Sequence, residues 1–466
     1  MPDDYLDSLA FLYCRLNYER VGMPRIPAEL RLGRMRRLLR RLGDPHAGLK
    51  VVHVAGTKGK GSTSAMIASA LSASGVRTGL FCSPHFHKLE ERFRVDGREA
   101  SPADLVALTD LLRPVVAALD AENVATQHRG PTFFEITTAM GLLHFARSGV
   151  GAVVLEVGLG GRLDSTNVVR PVVAVVTNIS LDHTRQLGST LAAIAGEKAG
   201  IFKRGCPAVS GECQPEPRAV IRRIARERRC RLHEIGVDFQ FDYQPPTPPL
   251  IRPASGRVSV TTWRRAWGEV ALPLLGAHQA RNSAVAVAVL DVLAEQGFAV
   301  GPDSLARGLA TLRLPARVEV LGAAPWIVVD GAHNVASAEA LAETLRTCFP
   351  AVSRTLVFGT TRDKDLIGQL RVLLDGASVV VATRYVENPR SVSPEEVAEA
   401  VRALGGPDPI IAPDPASALA IARRETPGDG MICITGSLFL AAETRSLLLG
   451  TAVNVEDFEN GRLNRR

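Results

Sequence analysis

The chain has 466 residues, of which 46% are hydrophobic and 22% charged, and its formal net charge is +7. This length predicts two domains, because one core rarely serves more than about 250–300 residues. Apolar runs no longer than a strand exclude a transmembrane helix, and seven cysteines without a C-x-x-C pair argue against a disulfide framework and a zinc ribbon. The acidic start has no basic segment of a secretory signal, so we expect a cytoplasmic enzyme with no membrane partner.

The first predicted element is a basic helix over 28–42, in which Met35 and several leucines recur at helical spacing. A second arginine-rich run, 218–231, follows the same pattern, so both arginine sets are expected to form solvated helix faces. Aromatic residues make up 5% of the chain, which is too few for stacking platforms. We therefore predict no nucleic-acid partner, whereas a modest basic excess suits anionic substrates such as ATP.

A phosphate-binding loop is predicted between the apolar strand 49–55 and the helical pattern 61–74. The loop consists of Gly56, Thr57, Lys58, Gly59, Lys60, Gly61 and Ser62. A strand, a glycine turn and a helix start aim backbone N–H groups at an anion. The run departs from G-x-x-x-x-G-K-[ST], because Val54 occupies the first glycine position and Gly61 separates Lys60 from Ser62. In this arrangement Lys60 can neutralise phosphate charge, and the Ser62 hydroxyl can reach a metal.

Strands and helices alternate through the first two-thirds of the chain. Strands are predicted at 49–55, 78–82, 151–157, 172–178 and 207–210, and helices at 28–42, 61–74, 102–119, 134–147, 190–200, 217–229 and 278–296. Strands this continuously apolar indicate a parallel sheet covered by helices. Residues 235–275 are Pro-rich and then alternate polar with apolar residues, which predicts a small β-rich insertion with a loop.

Candidate ligands follow three of these strands, where the ligand sites of open α/β sheets collect. Ser83 follows strand 78–82, Glu156 ends strand 151–157, and His183 lies just beyond strand 172–178. A hydroxyl, a carboxylate and an imidazole from neighbouring strands could hold Mg²⁺ opposite the phosphate loop, although imidazole is an uncommon Mg²⁺ ligand. Lys198 lies on an alanine-rich helix. It is either a surface lysine or a residue that must be paired or chemically neutralised beside the metal.

A second alternation of strands and helices begins after 314–317. Strands are predicted at 326–331, 354–359, 378–384, 409–413 and 431–436, and helices at 336–347, 363–374, 393–403, 415–424 and 439–448. This pattern predicts a smaller doubly wound domain, so we divide the chain into domains 1–312 and 313–452 and a tail, 453–466. Asp330 and His333 follow a strand of this domain, and Asn334 is either part of a site or a helix cap.

Several short motifs occur in one order along about residues 12–448: LNYER, HVAGTKGKGS, SPH, FFE, LEVGLGGRLDSTN, LDHT, GEKAGIF, HQARN, LPARVE, DGAHN, RDKD and TGS. As an ordered set they resemble the Mur ligase superfamily, and within it the folate branch, dihydrofolate synthase/folylpolyglutamate synthase. The resemblance implies an α/β fold with two doubly wound domains. The first would be a P-loop ATPase-like domain of the Mur ligase central type, and the second a smaller Rossmann-like domain. The run LPAR departs from the LPGR of many members, so its backbone is expected to turn differently.

The resemblance also implies roles for individual residues. ATP would be bound by the loop from Gly56 to Ser62 and contacted by Asn282, Arg317, Asp330 and His333. Mg²⁺ would be held by Ser83, Glu156 and His183. Lys198 matches a lysine that family members carbamylate, which resolves the electrostatic objection, and Lys60, Lys198 and His183 would be the catalytic residues. The pterin-side pocket would contain Phe134, Arg162 and Asp164.

The activity implied is ATP-dependent ligation of L-glutamate to a folate-type carboxylate, through an acyl phosphate, by a monomeric enzyme. The acceptor would be dihydropteroate, reduced folates, or both. Three alternatives stay open: a folylpolyglutamate synthase alone, a sibling cell-wall ligase, and a P-loop ATPase stimulated by nucleic acid. The cell-wall ligases usually carry a separate N-terminal domain, whereas here about 48 residues precede the phosphate-loop strand.

Overall fold

The computed structural model describes residues 3–21, 32–126, 130–246, 255–350 and 352–451. It divides the chain into a first unit, Met1–Asp242, Ser259–Val270 and Arg281–Leu312, and a second unit, Tyr243–Val258, Ala271–Ala280 and Arg313–Arg466. Two stretches that we placed in the first domain, 243–258 and 271–280, thus belong to the second unit. The tail 453–466, most of the Pro-rich loop and the start of the helix expected at 28–42 lie outside the described residues.

The first unit is built on an eight-stranded sheet with the order β4-β3-β2-β5-β1-β6-β7-β8. Its strands are β1 (Val51–Ala55), β2 (Thr78–Phe81), β3 (Phe93–Val95), β4 (Arg98–Glu99), β5 (Ala152–Glu156), β6 (Val173–Val176), β7 (Ala208–Ser210) and β8 (Leu232–Glu234). The strands from β2 to β8 in this order run parallel, and β3 and β4 add an antiparallel edge. All residues of β1, β5 and β6 are buried, so their continuous apolar character follows from helices covering both faces.

In the described part of the chain, three helices of the first unit precede β1, and six more lie between its strands. They are α1 (Asp3–Tyr13), α2 (Tyr18–Val21), α3 (Leu32–Arg41), α4 (Lys60–Ala73), α5 (Pro102–Thr126), α6 (Phe133–Arg147), α7 (Thr184–Leu187), α8 (Leu191–Ala199) and α9 (Pro215–Glu227). The apolar side chains of α8 and α9 pack on β6 and β7 in one core cluster. Because β1 lies between β5 and β6, the residues that follow these three strands lie at one edge of the sheet.

Three further strands form a separate sheet within the region of the expected insertion, in the order β11-β10-β9. They are β9 (Phe239–Gln244), β10 (Gly256–Thr262) and β11 (Ala266–Leu272), and the helices α10 (Ala277–Glu295) and α11 (Pro302–Thr311) follow. Alternate residues of β10 are buried, which matches the alternating sequence.

The second unit contains a six-stranded sheet with the order β12-β13-β17-β14-β15-β16. Its elements are β12 (Glu319–Ala323), β13 (Trp326–Val329), α12 (Val335–Cys348), β14 (Arg354–Phe358), α13 (Leu366–Leu373), β15 (Ala377–Ala382), α14 (Pro394–Ala403), β16 (Ile410–Ile411), α15 (Pro415–Glu425), β17 (Met431–Thr435) and α16 (Leu438–Leu449). Strand β12 is antiparallel to β13, and the other pairs are parallel. Two doubly wound sheets confirm the predicted fold class.

No helix among the residues described here has both the length and the apolar character needed to cross a membrane. All seven cysteines are free thiols.

Candidate active site

The loop between β1 and α4 has its backbone packed closely against neighbouring side chains at two glycines. Gly56 has a φ of 151°, and a Cβ there would lie 1.8 Å from the Thr177 hydroxyl oxygen. Gly59 has a φ of 80°, and a Cβ there would lie 2.2 Å from Oδ1 of Asn282. Both positions therefore require glycine. The structure also places Asn282, a predicted ATP contact, directly against this loop.

Hydrogen bonds tie the loop to residues 177–183, which we call the β6–α7 connection. The backbone N–H groups of Thr57 and Lys58 donate to the carbonyl and side-chain oxygens of Asn178, at 2.8 and 2.9 Å. The Thr57 hydroxyl donates to the Ser180 carbonyl oxygen at 3.2 Å and accepts from the Ser180 N–H at 3.1 Å. Thr177 donates its hydroxyl to the Lys58 carbonyl oxygen at 2.6 Å. These bonds fix the backbone of the loop, and they use the N–H groups of Thr57 and Lys58, so the N–H groups that an anion can contact are those of the residues that follow.

Three lysines converge on this loop. Nζ of Lys58 lies 3.0 Å from Oδ2 of Asp182, and Nζ of Lys60 donates to the Thr57 carbonyl oxygen at 3.4 Å. Lys198, although it lies on α8, is buried and donates to the Gly56 carbonyl oxygen at 2.8 Å. The surface-lysine alternative for Lys198 is therefore wrong.

Burial lowers the pKa of Lys198 well below its ordinary value, and the nearby charges of Lys60 and Lys58 lower it further. Asp182 and Asp164 oppose this shift. The depressed pKa favours an uncharged amine inside a cluster of positive groups. Such an amine is nucleophilic, which an exposed ammonium is not.

Two of the predicted metal ligands lie together. The carboxylate of Glu156 is buried and accepts a hydrogen bond from the Ser83 N–H at 3.3 Å. A Cβ on Gly61 would lie 3.6 Å from each carboxylate oxygen, so Glu156 faces the first turn of α4. The hydroxyl of Ser83 and this carboxylate are hard oxygen donors of the type that Mg²⁺ prefers.

The third predicted ligand, His183, has left-handed backbone with a φ of 50° at the start of α7. Its side chain is 38% exposed, and Nε2 lies 3.8 Å from Oδ1 of Asp182. Within the described ranges, no group of three or more His, Cys, Asp or Glu residues is placed to hold a metal ion. The magnesium ligand set thus stays a prediction, with its oxygen donors placed beside the phosphate loop.

Asp164 organises the turn that follows β5. One carboxylate oxygen accepts from the Leu159 N–H at 2.8 Å. The other accepts from the N–H and the hydroxyl of Thr166 at 3.0 and 2.5 Å. Burial raises the pKa of Asp164, whereas these bonds and the charge of Lys60 act in the opposite direction. We call residues 158–164 the Asp164 turn.

The two other predicted substrate residues, Phe134 on α6 and Arg162 within the Asp164 turn, make different contacts. A Cβ on Gly158 would lie 2.4 Å from Cζ of Phe134, so this ring packs against the start of the turn. Arg162 is half exposed and pairs with Glu197 of α8, with Nη2 2.8 Å from Oε1. Phe134 and Asp164 therefore share one region, while Arg162 is directed to α8.

The predicted nucleotide residues of the second unit also share one turn. Asp330 is buried and accepts from the N–H groups of Val318 and Ala332 at 2.8 and 2.7 Å. Nδ1 of His333 lies 2.8 Å from the Gly331 carbonyl oxygen. Nη1 of Arg317 would lie 2.9 Å from a Cβ placed on Gly331.

The polar residue after His333 has the capping role that we considered for it. The side chain of Asn334 accepts from the Ser337 N–H at 3.0 Å and caps α12. Asp365, in the RDKD run, caps α13 in the same way.

Sequence reasoning missed Glu212, which anchors the β6–α7 connection. This buried carboxylate accepts from the N–H groups of Ile179, Cys213 and Gln214, at 2.5, 2.9 and 2.7 Å. Burial raises its pKa. Glu156 and His183 were identified because they lie at or just after the end of a predicted strand. Glu212 lies two residues after β7, so the same criterion could have identified it.

Comparison with known proteins gives two family matches. Residues 54–290 match the Mur ligase middle domain, and residues 316–438 match the Mur ligase, glutamate ligase domain. The chain is 34% identical over 449 residues to the dihydrofolate synthase/folylpolyglutamate synthase of Bacillus subtilis, covering 95% of this chain and 99% of that protein.

A structure of Mycobacterium tuberculosis folylpolyglutamate synthase complexed with ADP has a TM-score of 0.86 and 32% identity, and the match covers 96% of this chain and 98% of that one. A Haloferax volcanii relative, a probable bifunctional folylpolyglutamate synthase/dihydropteroate synthase, is 38% identical over 88% of this chain. The chain spans about half of that longer relative, 48% of its length.

Proposed function

Because the chain belongs to the Mur ligase family, in its dihydrofolate synthase/folylpolyglutamate synthase branch, we propose that it ligates L-glutamate to a folate-type carboxylate with ATP. The acceptors are dihydropteroate, reduced folates that gain a γ-glutamyl residue, or both. The observation that carries the proposal is the fixed glycine loop at the start of α4 with Lys58 and Lys60 on it, since backbone N–H groups and positive side chains at a helix start form a site for a polyphosphate.

The reaction that suits this site proceeds in two transfers. The acceptor carboxylate attacks the γ-phosphorus of ATP, which gives an acyl phosphate and ADP. The glutamate amine then attacks the acyl carbon, loses a proton and displaces inorganic phosphate, which leaves an amide. The loop N–H groups and Lys60 stabilise the charge on the transferred phosphoryl group.

Ser83, Glu156 and His183 are the residues that we propose to hold Mg²⁺. Bound there, the ion would neutralise phosphate charge. The proposal is supported by Glu156, whose buried carboxylate faces the first turn of α4. Asn282 contacts the loop, and Arg317, Asp330 and His333 are proposed as further nucleotide contacts.

Carbamylation of Lys198 completes the proposed site. An uncharged amine adds CO₂ to give a carbamate anion and a proton. The lowered pKa of Lys198 favours the uncharged amine that this reaction needs. The product would place a negative charge near Lys58 and Lys60. Mass spectrometry of the intact protein at pH 8 with and without bicarbonate checks this modification, and Lys198→Arg is the control because it cannot form the carbamate.

ADP release tests the function directly. Purified protein receives Mg-ATP and L-glutamate, with 7,8-dihydropteroate in one assay and tetrahydrofolate in the other. Turnover with both acceptors establishes two activities, and turnover with one acceptor names the single activity. If folded protein that binds ATP uses neither acceptor, the assignment is wrong and other Mur-type acceptors must be tested.

Lys60→Ala is expected to lower turnover by at least about 10³-fold, because it removes a preorganised positive charge from the transferring phosphoryl group. Lys88→Ala is the matched control, since Lys88 is 52% exposed in an ion pair with Glu99. Near-normal amide formation by folded Lys60→Ala would remove this residue from the mechanism.

We also propose that the enzyme is a cytoplasmic monomer. The free thiols suit a reducing compartment. Light scattering on the purified protein measures its mass, and a stable dimer would contradict the monomer.

A further inference from the structure

A histidine that the proposed reaction does not use is hydrogen bonded to the Asp164 turn through one intermediary. His53 lies in the middle of β1 and is fully buried. Its Nε2 lies 2.9 Å from the hydroxyl oxygen of Thr166, which lies 2.5 Å from Oδ1 of Asp164. The strand before the phosphate loop is therefore connected to the substrate-side carboxylate.

The direction of these hydrogen bonds follows from the number of protons. A threonine hydroxyl has one proton, and here Thr166 donates it to the Asp164 carboxylate. The same oxygen must then accept from His53, so Nε2 carries the imidazole proton. Nδ1 of His53 is buried without a hydrogen-bond partner, as expected for the unprotonated nitrogen. Burial, assisted by the charge of Lys203, lowers the pKa of His53 to about 3, so the ring is a neutral donor at physiological pH.

The Asp164 carboxylate interacts electrostatically with two of the three lysines near the phosphate loop. Lys60 of α4 acts electrostatically on Asp164, and Asp164 in turn acts on Lys198 of α8. The Asp164 turn also packs directly on α8, because a Cβ on Gly161 would lie 2.8 and 2.9 Å from the carbonyl oxygens of Glu197 and Lys198. Lys60 is thus the charged lysine that acts on Asp164, while Lys198 on α8 and His53 on β1 are uncharged groups near it.

We propose that His53 and Thr166 are positioning residues that fix the Asp164 carboxylate in its ionised form, one oxygen on Thr166 and the other on Leu159. This inference rests on the proposed function, because Asp164 belongs to the pterin-side pocket that the family resemblance implies. Without the Thr166 hydroxyl, the buried carboxylate loses one of its donors, so its charged form is less favoured. The Asp164 turn would then present less negative charge to Lys60.

The test compares Thr166→Val, which keeps the shape but removes the hydroxyl, with Thr166→Ser, which keeps the hydroxyl. The Asp164 carboxyl carbon is titrated by NMR in protein labelled with ¹³C-aspartate, and Asp164→Asn assigns the signal. We expect Thr166→Val to raise the midpoint by about one pH unit, since a hydrogen bond to a charged group is worth that much or more. Thr166→Ser should restore the wild-type midpoint.

The pH profile of kcat/KM for the folate acceptor should move with the midpoint of the Asp164 titration. In Thr166→Val, the apparent pKa of the acidic limb should be raised by the same amount as that midpoint. An unchanged midpoint in folded Thr166→Val would overturn the positioning role, as would a shifted midpoint without a shifted acidic limb. If Thr166→Val does not fold, His53→Gln against His53→Leu supplies the same comparison, because glutamine retains a donor near Nε2.

The NMR titration needs no turnover, which separates the two claims. The Thr166 variants could show the expected shift of the Asp164 midpoint while the wild-type protein ligates glutamate to no folate acceptor. That result would contradict the proposed function and the catalytic part of the inference. It would leave the hydrogen-bonded order from His53 to Asp164 intact.

Discussion

The phosphate loop of the first unit and the turn around Asp330 in the second unit solve a similar problem with different residues. Both follow a buried strand, β1 and β13 respectively. The phosphate loop places its positive φ angles on glycines, 151° at Gly56 and 80° at Gly59. The second unit instead has a φ of 49° at both Ala316 and Val318, beside Asp330. The comparison shows that backbone with a positive φ is unstrained in the phosphate loop, where glycines adopt it. In the second unit it must be stabilised by side chains, because residues with a Cβ adopt it.

The strained backbone of the second unit is held by two carboxylates. An L-residue in left-handed conformation costs roughly 1–2 kcal/mol, and a β-branched residue such as Val318 is a marked exception there. The N–H of Val318 donates to Asp330 at 2.8 Å, and the N–H of Ala316 donates to Glu319 at 2.9 Å. These charge-assisted bonds offset the strain.

The largest effect is expected for Gly56→Ala. The new Cβ would lie 1.8 Å from the Thr177 hydroxyl oxygen and 3.2 Å from the Thr177 N–H nitrogen. The loop must shift, so the free energy of unfolding should fall by about 3 kcal/mol and ATP binding should be lost. Urea unfolding and calorimetric ATP titration measure both. Gly48→Ala is the control, because a Cβ there meets nothing within 4 Å; equal effects of the two changes would refute the close approach.

Asp330→Asn removes the carboxylate that holds Val318. One of its two oxygens accepts from Val318 and the other from Ala332, and the amide of asparagine can replace one of them. We expect the free energy of unfolding, measured without nucleotide, to fall by about 2 kcal/mol. Asp408→Asn should have no measurable effect, since Asp408 is 86% exposed in its ion pair with Arg402. An unchanged free energy of unfolding in Asp330→Asn would mean that the backbone conformation of Val318 does not depend on this bond.

The first of these regions could be predicted from the sequence, and the second only in part. Glycines between an apolar strand and a helix pattern are direct evidence of a phosphate loop, because residue type and backbone conformation are linked there. At Ala316 and Val318 that link is broken, since neither residue type indicates left-handed backbone. The LPAR run did raise the expectation of an altered turn, but the conformation follows from bonds to Asp330 and Glu319, which lie elsewhere in the sequence.

The burial of Lys198 and the short edge strands β3 and β4 could not be predicted from the sequence pattern either. Lys198 looked like a surface residue because charged side chains are rarely buried, and its burial depends on packing against the loop at Gly56. Strands β3 and β4 have three and two residues, which is too short to show alternation. Except for β8, which has three residues, the parallel strands of both sheets were found, because each is a continuous apolar run next to a helical pattern.

Ala316→Gly should have the opposite sign to Gly56→Ala. Glycine removes the left-handed penalty at 316 and keeps the N–H that donates to Glu319, but it adds backbone entropy to the unfolded chain. Removing a penalty of about 1–2 kcal/mol at an entropic cost of about 0.5–1 kcal/mol predicts a gain of up to about 1.5 kcal/mol in the free energy of unfolding. Urea unfolding measures it. A loss of stability would mean that the protein is not strained at this position.

The smallest expected effect concerns the ion pair that ties the phosphate loop to the β6–α7 connection. Lys58 and Asp182 are 20% and 8% exposed, whereas the Arg223–Glu227 pair on α9 is 60% and 56% exposed. A double-mutant cycle with Lys58→Met and Asp182→Asn should give a coupling of about 0.5–1 kcal/mol, because the partly buried pair is less screened by water. The cycle on the exposed pair should give about 0–0.5 kcal/mol. Equal couplings would mean that the backbone bonds of Thr57 and Asn178 hold the loop without help from this pair.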